Sequence, residues 1–224
     1  MKNLSINIQI HPNLYLKNPE GTDLGRRIVS KSIEMIENLG FESFTFRKLG
    51  KEIGSNESSI YRYFDSKHAL LVYLFNWYWS WIEYRMYIAT LNLNPEEKLR
   101  RAIEMLTQVI EEDSAFSFVN EVLLHRIIIA ESSKAYLHKD IDEENEKGFY
   151  KTYKRVVKRV SEMVTEVNPE YKYPNMLVSS VIEGAHNQRY FAEHLPSVTD
   201  SIDGEDAILN FYLDMVFNLI SKKN

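Results

Sequence analysis

Between Ser58 and Arg62 the chain places Ser58, Ser59, Tyr61 and Arg62 in one short stretch, with Lys67 just beyond it. Arginine can bind guanine bidentately or grip a phosphate, and serine hydroxyls serve phosphates or base edges. A tyrosine offers its ring to a thymine methyl and its hydroxyl to phosphate. At about 100° per residue Ser58 and Arg62 share one helix face, flanked by Ser59 and Tyr61, while Ile60 and Phe64 point to the opposite side. One face would be core and the other would meet a groove.

The elements that must hold this face can be read from their ends. Thr45 is a good N-cap, and Phe46, Leu49 and Ile53 follow at helical spacing until Gly54 supplies a left-handed residue. Ser55 or Asn56 then caps the second helix. Ser66 caps a third, whose N-terminal amides and Lys67 would meet a phosphate by dipole and charge together. Two short helices joined by a tight turn, the second lying against a duplex, make a helix-turn-helix.

The run from Gly25 to Leu71 resembles the DNA-binding domain of the tetracycline-repressor (TetR) family of bacterial transcription regulators. The resemblance rests on Asn38-Leu39-Gly40-Phe41 closing the first helix, on the Thr45 to Gly54 helix, and on Ser58-Ser59-Ile60-Tyr61-Arg62-Tyr63-Phe64-Asp65-Ser66-Lys67. It implies an all-α, dimeric regulator, usually a repressor, with a small-molecule effector in a larger C-terminal domain. It also implies phosphate contacts from Thr45, Tyr61 and Lys67 and base reading around Ser58, Ser59 and Arg62; Arg47 and Tyr63 complete the expected DNA-binding set. Glu57 fits less comfortably, because a carboxylate repels phosphate, although it complements the helix dipole.

A length of 224 residues fits one small plus one larger domain. The expected division is a mobile leader arm over residues 1–21, the helix-turn-helix domain over 22–72 and a helical ligand-binding and dimerisation domain over 73–224. The net charge of −5 divides unevenly. Residues 1–85 hold eleven Lys or Arg against nine Asp or Glu, a net +2, and the remainder carries −7. DNA is thereby kept to one end, with affinity drawn from placed contacts rather than bulk charge. The chain lacks cysteine, so it forms no disulfide and no thiolate metal site. With no signal-peptide pattern and no apolar run of spanning length, a cytoplasmic protein without membrane partners is expected.

Beyond the recognition stretch, His68 to Leu91 reads as one long helix too aromatic for a single buried stripe. Most of its rings should be core. A minority, with Trp77, Trp81 and Tyr84 as candidates, could line a pocket for a flat apolar or cationic effector, together with His125, Glu183, His186 and Asn187. Asn94-Pro95 opens a further helix, and Phe116 to Ala130 another. Asp140 to Val167, acidic early and basic late, reads as one solvated helix. Arg189 and its polar neighbours could face effector, partner subunit or water. Two last helices, Met176 to Leu195 and Glu205 to Ile220, are apolar over more than one face. By the resemblance they form the dimer interface, through Val178, Val181, Ile182, Ala185, Ile208, Phe211, Tyr212 and Met215. Glu121 with His125, and His138 with Asp142, stand one turn apart, but neither has a third ligand nearby in sequence. No metal site, no cofactor and no catalytic residue is expected.

Overall fold

A computed structural model describes Ile8, residues 10–110 and residues 118–221. Among these residues the chain is helical, with no strand. The helices are α1 (Asp23–Leu39), α2 (Phe46–Glu52), α3 (Glu57–Tyr61), α4 (Lys67–Ala89), α5 (Pro95–Thr107), α6 (Glu121–Tyr136), α7 (Ile141–Glu146), α8 (Lys151–Val167), α9 (Pro174–His194) and α10 (Ala207–Ile220). None is long and apolar enough to cross a membrane. The chain forms two compact units, residues 1–80 with 110–151 and residues 81–109 with 152–224. This grouping differs from a division at residue 72: the first unit takes in the start of α4 and the later segment containing α6 and α7.

In the first unit, α1 starts where the Thr22 hydroxyl accepts from the Gly25 amide at 3.0 Å and closes at Gly40, with φ of 74°. Its inner stripe of Ile28, Val29, Ile33 and Ile36 is buried against α2 and α6. The α6 helix is also fastened to the α1–α2 corner by polar contacts. Glu131 Oε1 accepts from the Phe41 amide at 3.1 Å, and Arg126 and Lys134 reach Glu37 and Glu42 at 3.3 and 3.1 Å.

The leader packs on this unit from residue 11 onward; residues 1–7 and 9 lie outside the described residues. Leu14 is buried in the unit, the Leu16 amide donates to the Tyr63 carbonyl at 2.8 Å, and the Lys17 ammonium sits over the Tyr63 ring at 5.1 Å. Burial raises the Glu20 carboxyl above its ordinary range while the Tyr73 hydroxyl donates to it at 3.3 Å.

In the second unit α5, α9 and α10 pack on one another. The α5 helix opens with a full capping box between Asn94 and Glu97, and buries Leu99, Ala102, Ile103 and Leu106. At the crossing of α9 and α10 the Tyr212 ring lies directly over Gly184, where any Cβ would collide with its hydroxyl. The stretch expected as one helix from Asp140 to Val167 is two. Gly148, at φ of 85°, breaks it between α7 and α8, because that left-handed backbone cannot continue a right-handed helix. Beyond the break Val156, Val160 and Val164 form the buried stripe of α8.

Candidate nucleic-acid interface

Side chains of the turn set the geometry of α2 and α3. Thr45 caps α2, its hydroxyl accepting from the Lys48 amide at 3.2 Å. After Ile53, Gly54 takes φ of 64° and reverses the chain. Gly50 is buried where α2 meets this turn. A Cβ there would stand 2.8 Å from the Ser55 carbonyl oxygen and 3.3 Å from the Glu57 amide, so the close approach demands glycine. Asn56 caps α3, and its Oδ1 accepts from the Ser59 amide at 2.8 Å and from the Ser58 and Ser59 hydroxyls at 2.8 and 2.7 Å. Ile60 and Phe64 are completely buried and fix which face turns outward.

The outward face carries Arg62, Ser58 and Tyr61, all exposed, with Ser59 partly so. Tyr61 is 46% exposed and its ring is braced edge-on by Phe46 at 5.1 Å, which orients it before any ligand arrives. Thr45 and Arg47 are exposed at the start of α2. Among the described residues neither Arg47 nor Arg62 is in an ion pair, so both guanidinium groups keep their donors for an outside acceptor. The bases of α1 are already engaged: Arg26 Nη1 donates to the Glu20 carbonyl at 2.8 Å, Arg27 pairs with Asp23 at 3.1 Å, and Lys31 pairs with Glu34.

Two members of the expected DNA set sit differently. Tyr63 is 3% exposed, with its hydroxyl 2.7 Å from Thr22 Oγ1, so it pins α1 and the leader to the end of the recognition segment and presents nothing to a groove. Lys67 places its ammonium on the Phe41 and Glu42 carbonyls at 3.1 and 3.2 Å and over the Phe41 ring. At the N-terminus of α4, Ser66 Oγ accepts from the Ala69 amide at 3.1 Å, as its capping position requires. Gly50 is the positioning residue that motif reading passed over; a glycine four residues before the turn was the available signal.

The members of the expected effector set belong to both units. In the first unit Trp77 is buried, and His125 is buried with Nδ1 2.9 Å from the Tyr78 hydroxyl and the two rings stacked. In the second, Trp81 is buried under the Arg85 guanidinium, and Tyr84 and Asn187 are exposed. Glu183 accepts from the Tyr153 hydroxyl at 3.2 Å, and His186 is buried, which lowers its pKa to about 4. An open cleft of ≈ 420 Å³ lies elsewhere in this unit, lined by Val109, Arg189 and the stretch from Ser201 to Ile208. Arg189 is a structural clamp there, donating to the Thr107 carbonyl from Nε and Nη2 and pairing with Asp206 at 2.6 Å. Asp206, thereby held below its ordinary pKa against the opposing pull of burial, also caps α10 through the Leu209 amide.

Of the expected interface residues, Val178, Val181, Ile182, Ala185, Ile208 and Tyr212 are buried within their own unit and so are not presented to a partner. Phe211 is exposed and Met215 partly exposed, and with exposed Leu219 they form one i, i+4, i+8 stripe along α10. The expected set thus mixes both faces of α10, with Ile208 and Tyr212 inward and Phe211 and Met215 outward.

Residues 28–74 match the family model described as "Bacterial regulatory proteins, tetR family". This helix-turn-helix is that of the tetR family. The fold is similar to that of AibR, solved in complex with isovaleryl coenzyme A and operator DNA (TM-score 0.58, 15% identity, covering 87% of this chain and 98% of that one). It is also similar to the ketosteroid transcriptional regulator KstR2 of Mycobacterium tuberculosis (0.53, 15%, 88% and 96%). The superantigen PfiT shares it as well (0.58, 13%, 90% and 97%). Among curated proteins none matches the sequence. At these identities the likeness is one of fold, and function must be argued from the site.

Proposed function

We propose that the chain is a sequence-specific DNA-binding transcriptional regulator that acts as a homodimer. The observation that carries this reading is the exposed face of α3 and its flank, where unpaired Arg62 and braced Tyr61 stand beside Ser58 on a helix-turn-helix of the tetR family. Arg62 reads a guanine edge, and Thr45, Arg47, Tyr61 and Lys67 hold phosphates, Lys67 by exchanging its carbonyl partners for a phosphate oxygen. The Asn56 cap supplies Ser58 and Ser59 in fixed positions, from which their hydroxyls turn to the duplex.

A dimer places two such helices in successive major grooves, about 34–36 Å apart on a near-palindromic site. The Phe211, Met215 and Leu219 stripe is the apolar surface that such a dimer would bury. A small-molecule effector bound within residues 73–224 would favour a conformation with a different spacing between recognition helices and so release the DNA; about 1–3 kcal/mol of coupling suffices. The support for this is the neighbour AibR, described with both an acyl coenzyme A and operator DNA. A second reading drops the effector and treats the protein as an adaptor with a solid core. The complete burial of Trp77, Trp79 and Trp81 favours it. A thermal-shift screen with apolar, cationic and acyl-coenzyme A compounds separates the two, since only the first predicts a ligand that raises Tm.

The DNA reading is tested by selecting random duplexes with the purified protein at near-physiological salt and sequencing what is retained. A two-fold-symmetric motif with half-sites one helical turn apart is expected. Binding without any motif, disappearing as salt rises, would overturn it.

A further inference from the structure

Three side chains from two distant segments converge in the first unit. His68 lies in the first turn of α4, His138 in the connection after α6, and Glu144 on α7. His68 Nε2 is 2.8 Å from Glu144 Oε1, and His138 Nε2 is 3.3 Å from Glu144 Oε2. The two imidazole rings meet edge to face at 4.6 Å between centroids, and the three candidate donor atoms all lie within 4.8 Å of one another. The pairing of His138 with Asp142 that helical spacing suggested is replaced by Glu144, on the other side of the same short helix.

We propose that His68, His138 and Glu144 bind one divalent transition-metal ion of the zinc class. Two imidazole nitrogens and one carboxylate oxygen form a donor set that zinc accepts, and nitrogen and oxygen ligands at about 2.0–2.1 Å in a tetrahedron lie about 3.3 Å from one another. The observed spacing needs only small side-chain adjustments to reach that geometry. The site is partly open, with side-chain exposures of 34% for His68, 21% for His138 and 14% for Glu144, which leaves an entry path and room for a water as fourth ligand. An outer partner is already in place: the Tyr150 hydroxyl contacts Glu144 Oε2 and lies 2.7 Å from the Ala135 carbonyl. Burial first, and the neighbouring Glu144 second, raise the Tyr150 pKa far above its ordinary value, so the phenol orients the carboxylate and does not itself become a phenolate ligand.

Binding has a definite protonation requirement. Without metal both Nε2 atoms lie within hydrogen-bond distance of the carboxylate, His138 Nε2 also lies 3.3 Å from the Tyr150 hydroxyl, and the Asp140 amide donates to His138 Nδ1 at 3.3 Å. A ligating Nε2 needs a lone pair, so each ring must carry its proton on Nδ1, and His138 gives up its weak contact with Asp140. The ion then takes over the positive end of both contacts to Glu144. It also joins the start of α4 to the α6–α7 connection, a link between segments more than seventy residues apart in the chain. The inference rests on these residues alone and is independent of DNA binding.

The test uses the full-length protein stripped with a chelator and titrated with Zn²⁺, with Co²⁺ as a spectroscopic substitute. One equivalent should bind, with Co²⁺ giving the intense visible bands of a four-coordinate site, and Zn²⁺ should raise Tm. His138→Ala and, separately, His68→Gln should each abolish stoichiometric binding while the far-UV circular dichroism of the protein stays helical. Tyr150→Phe should weaken affinity about 10- to 100-fold, the range for loss of an outer-shell partner. Absence of a one-equivalent site in the native protein, or binding undiminished in both histidine variants, would overturn the proposal.

Discussion

Asn56 holds Ser59 twice, through the backbone amide at 2.8 Å and the hydroxyl at 2.7 Å, both on the same carboxamide oxygen. The recognition helix is short, and this cap satisfies one of the few amides that would otherwise point into solvent. Asn56→Ala should therefore destabilise the protein by about 1 kcal/mol, whereas Asn56→Asp retains the acceptor. Urea unfolding of the two variants, compared by midpoint at constant slope, measures the difference. Equal midpoints for Ala and Asp would show that the cap is energetically idle.

Gly50 makes a sharper prediction, because its neighbour is rigid. The Ser55 carbonyl oxygen would be 2.8 Å from an added Cβ and cannot swing away as the end of a long side chain could. Gly50→Ala should cost about 1–3 kcal/mol through overpacking, and it should weaken specific DNA binding further by changing the angle between α2 and α3. The same substitution in an open helix position would raise stability by a few tenths of a kcal/mol, as helix propensity favours alanine. The sign of the change in unfolding midpoint decides between them.

Local signals were legible in the sequence and distant ones were not. Thr45, Asn56, Ser66, Gly40 and Gly54 act within three or four residues, so their types announced the ends of α1 to α4 before any packing was known. Tyr63 was misjudged because an aromatic ring beside a recognition helix can serve either side of it, and only the docked leader shows which. Gly148 was passed over inside a strongly helical charge pattern, where one left-handed residue outweighs many weak preferences. The meeting of His68 with Glu144 depends on how α4 and α7 pack, and helical spacing within either segment carries no trace of it.

His186 is buried at 4% exposure and burial lowers its pKa from 6.5 to about 4. Between those values the unfolded chain binds a proton that the folded chain refuses. The stability that depends on a neutral His186 is therefore full above pH 6.5 and declines as pH falls, at about 1.4 kcal/mol per pH unit for this one group. The loss reaches on the order of 3 kcal/mol by pH 4 and does not grow below it. Unfolding midpoints taken across that window should fall more steeply in the native protein than in His186→Leu. Parallel curves would show that the ring is charged or solvated when folded.

The α10 stripe predicts an assembly. Phe211 and Leu219 are 57% and 53% exposed, and each would lose about 1.5–3 kcal/mol of burial energy if its place in a dimer were taken by a carboxylate. Phe211→Glu with Leu219→Glu should shift sedimentation from dimer to monomer with helix content unchanged. A native protein that sediments as a monomer at micromolar concentration would contradict the homodimer itself.

The most direct measurement compares the native protein with Arg62→Ala on two duplexes, the selected operator and a scrambled sequence of equal length, at one fixed salt concentration. Arg62 is exposed, and among the described residues it has no ion-pair partner. If it reads a guanine edge, the variant loses about 1–3 kcal/mol on the operator, roughly a 5- to 150-fold weakening, with little change on the scrambled duplex. Equal losses on both duplexes would make Arg62 a phosphate contact, and no loss on either would remove α3 from the reading of DNA.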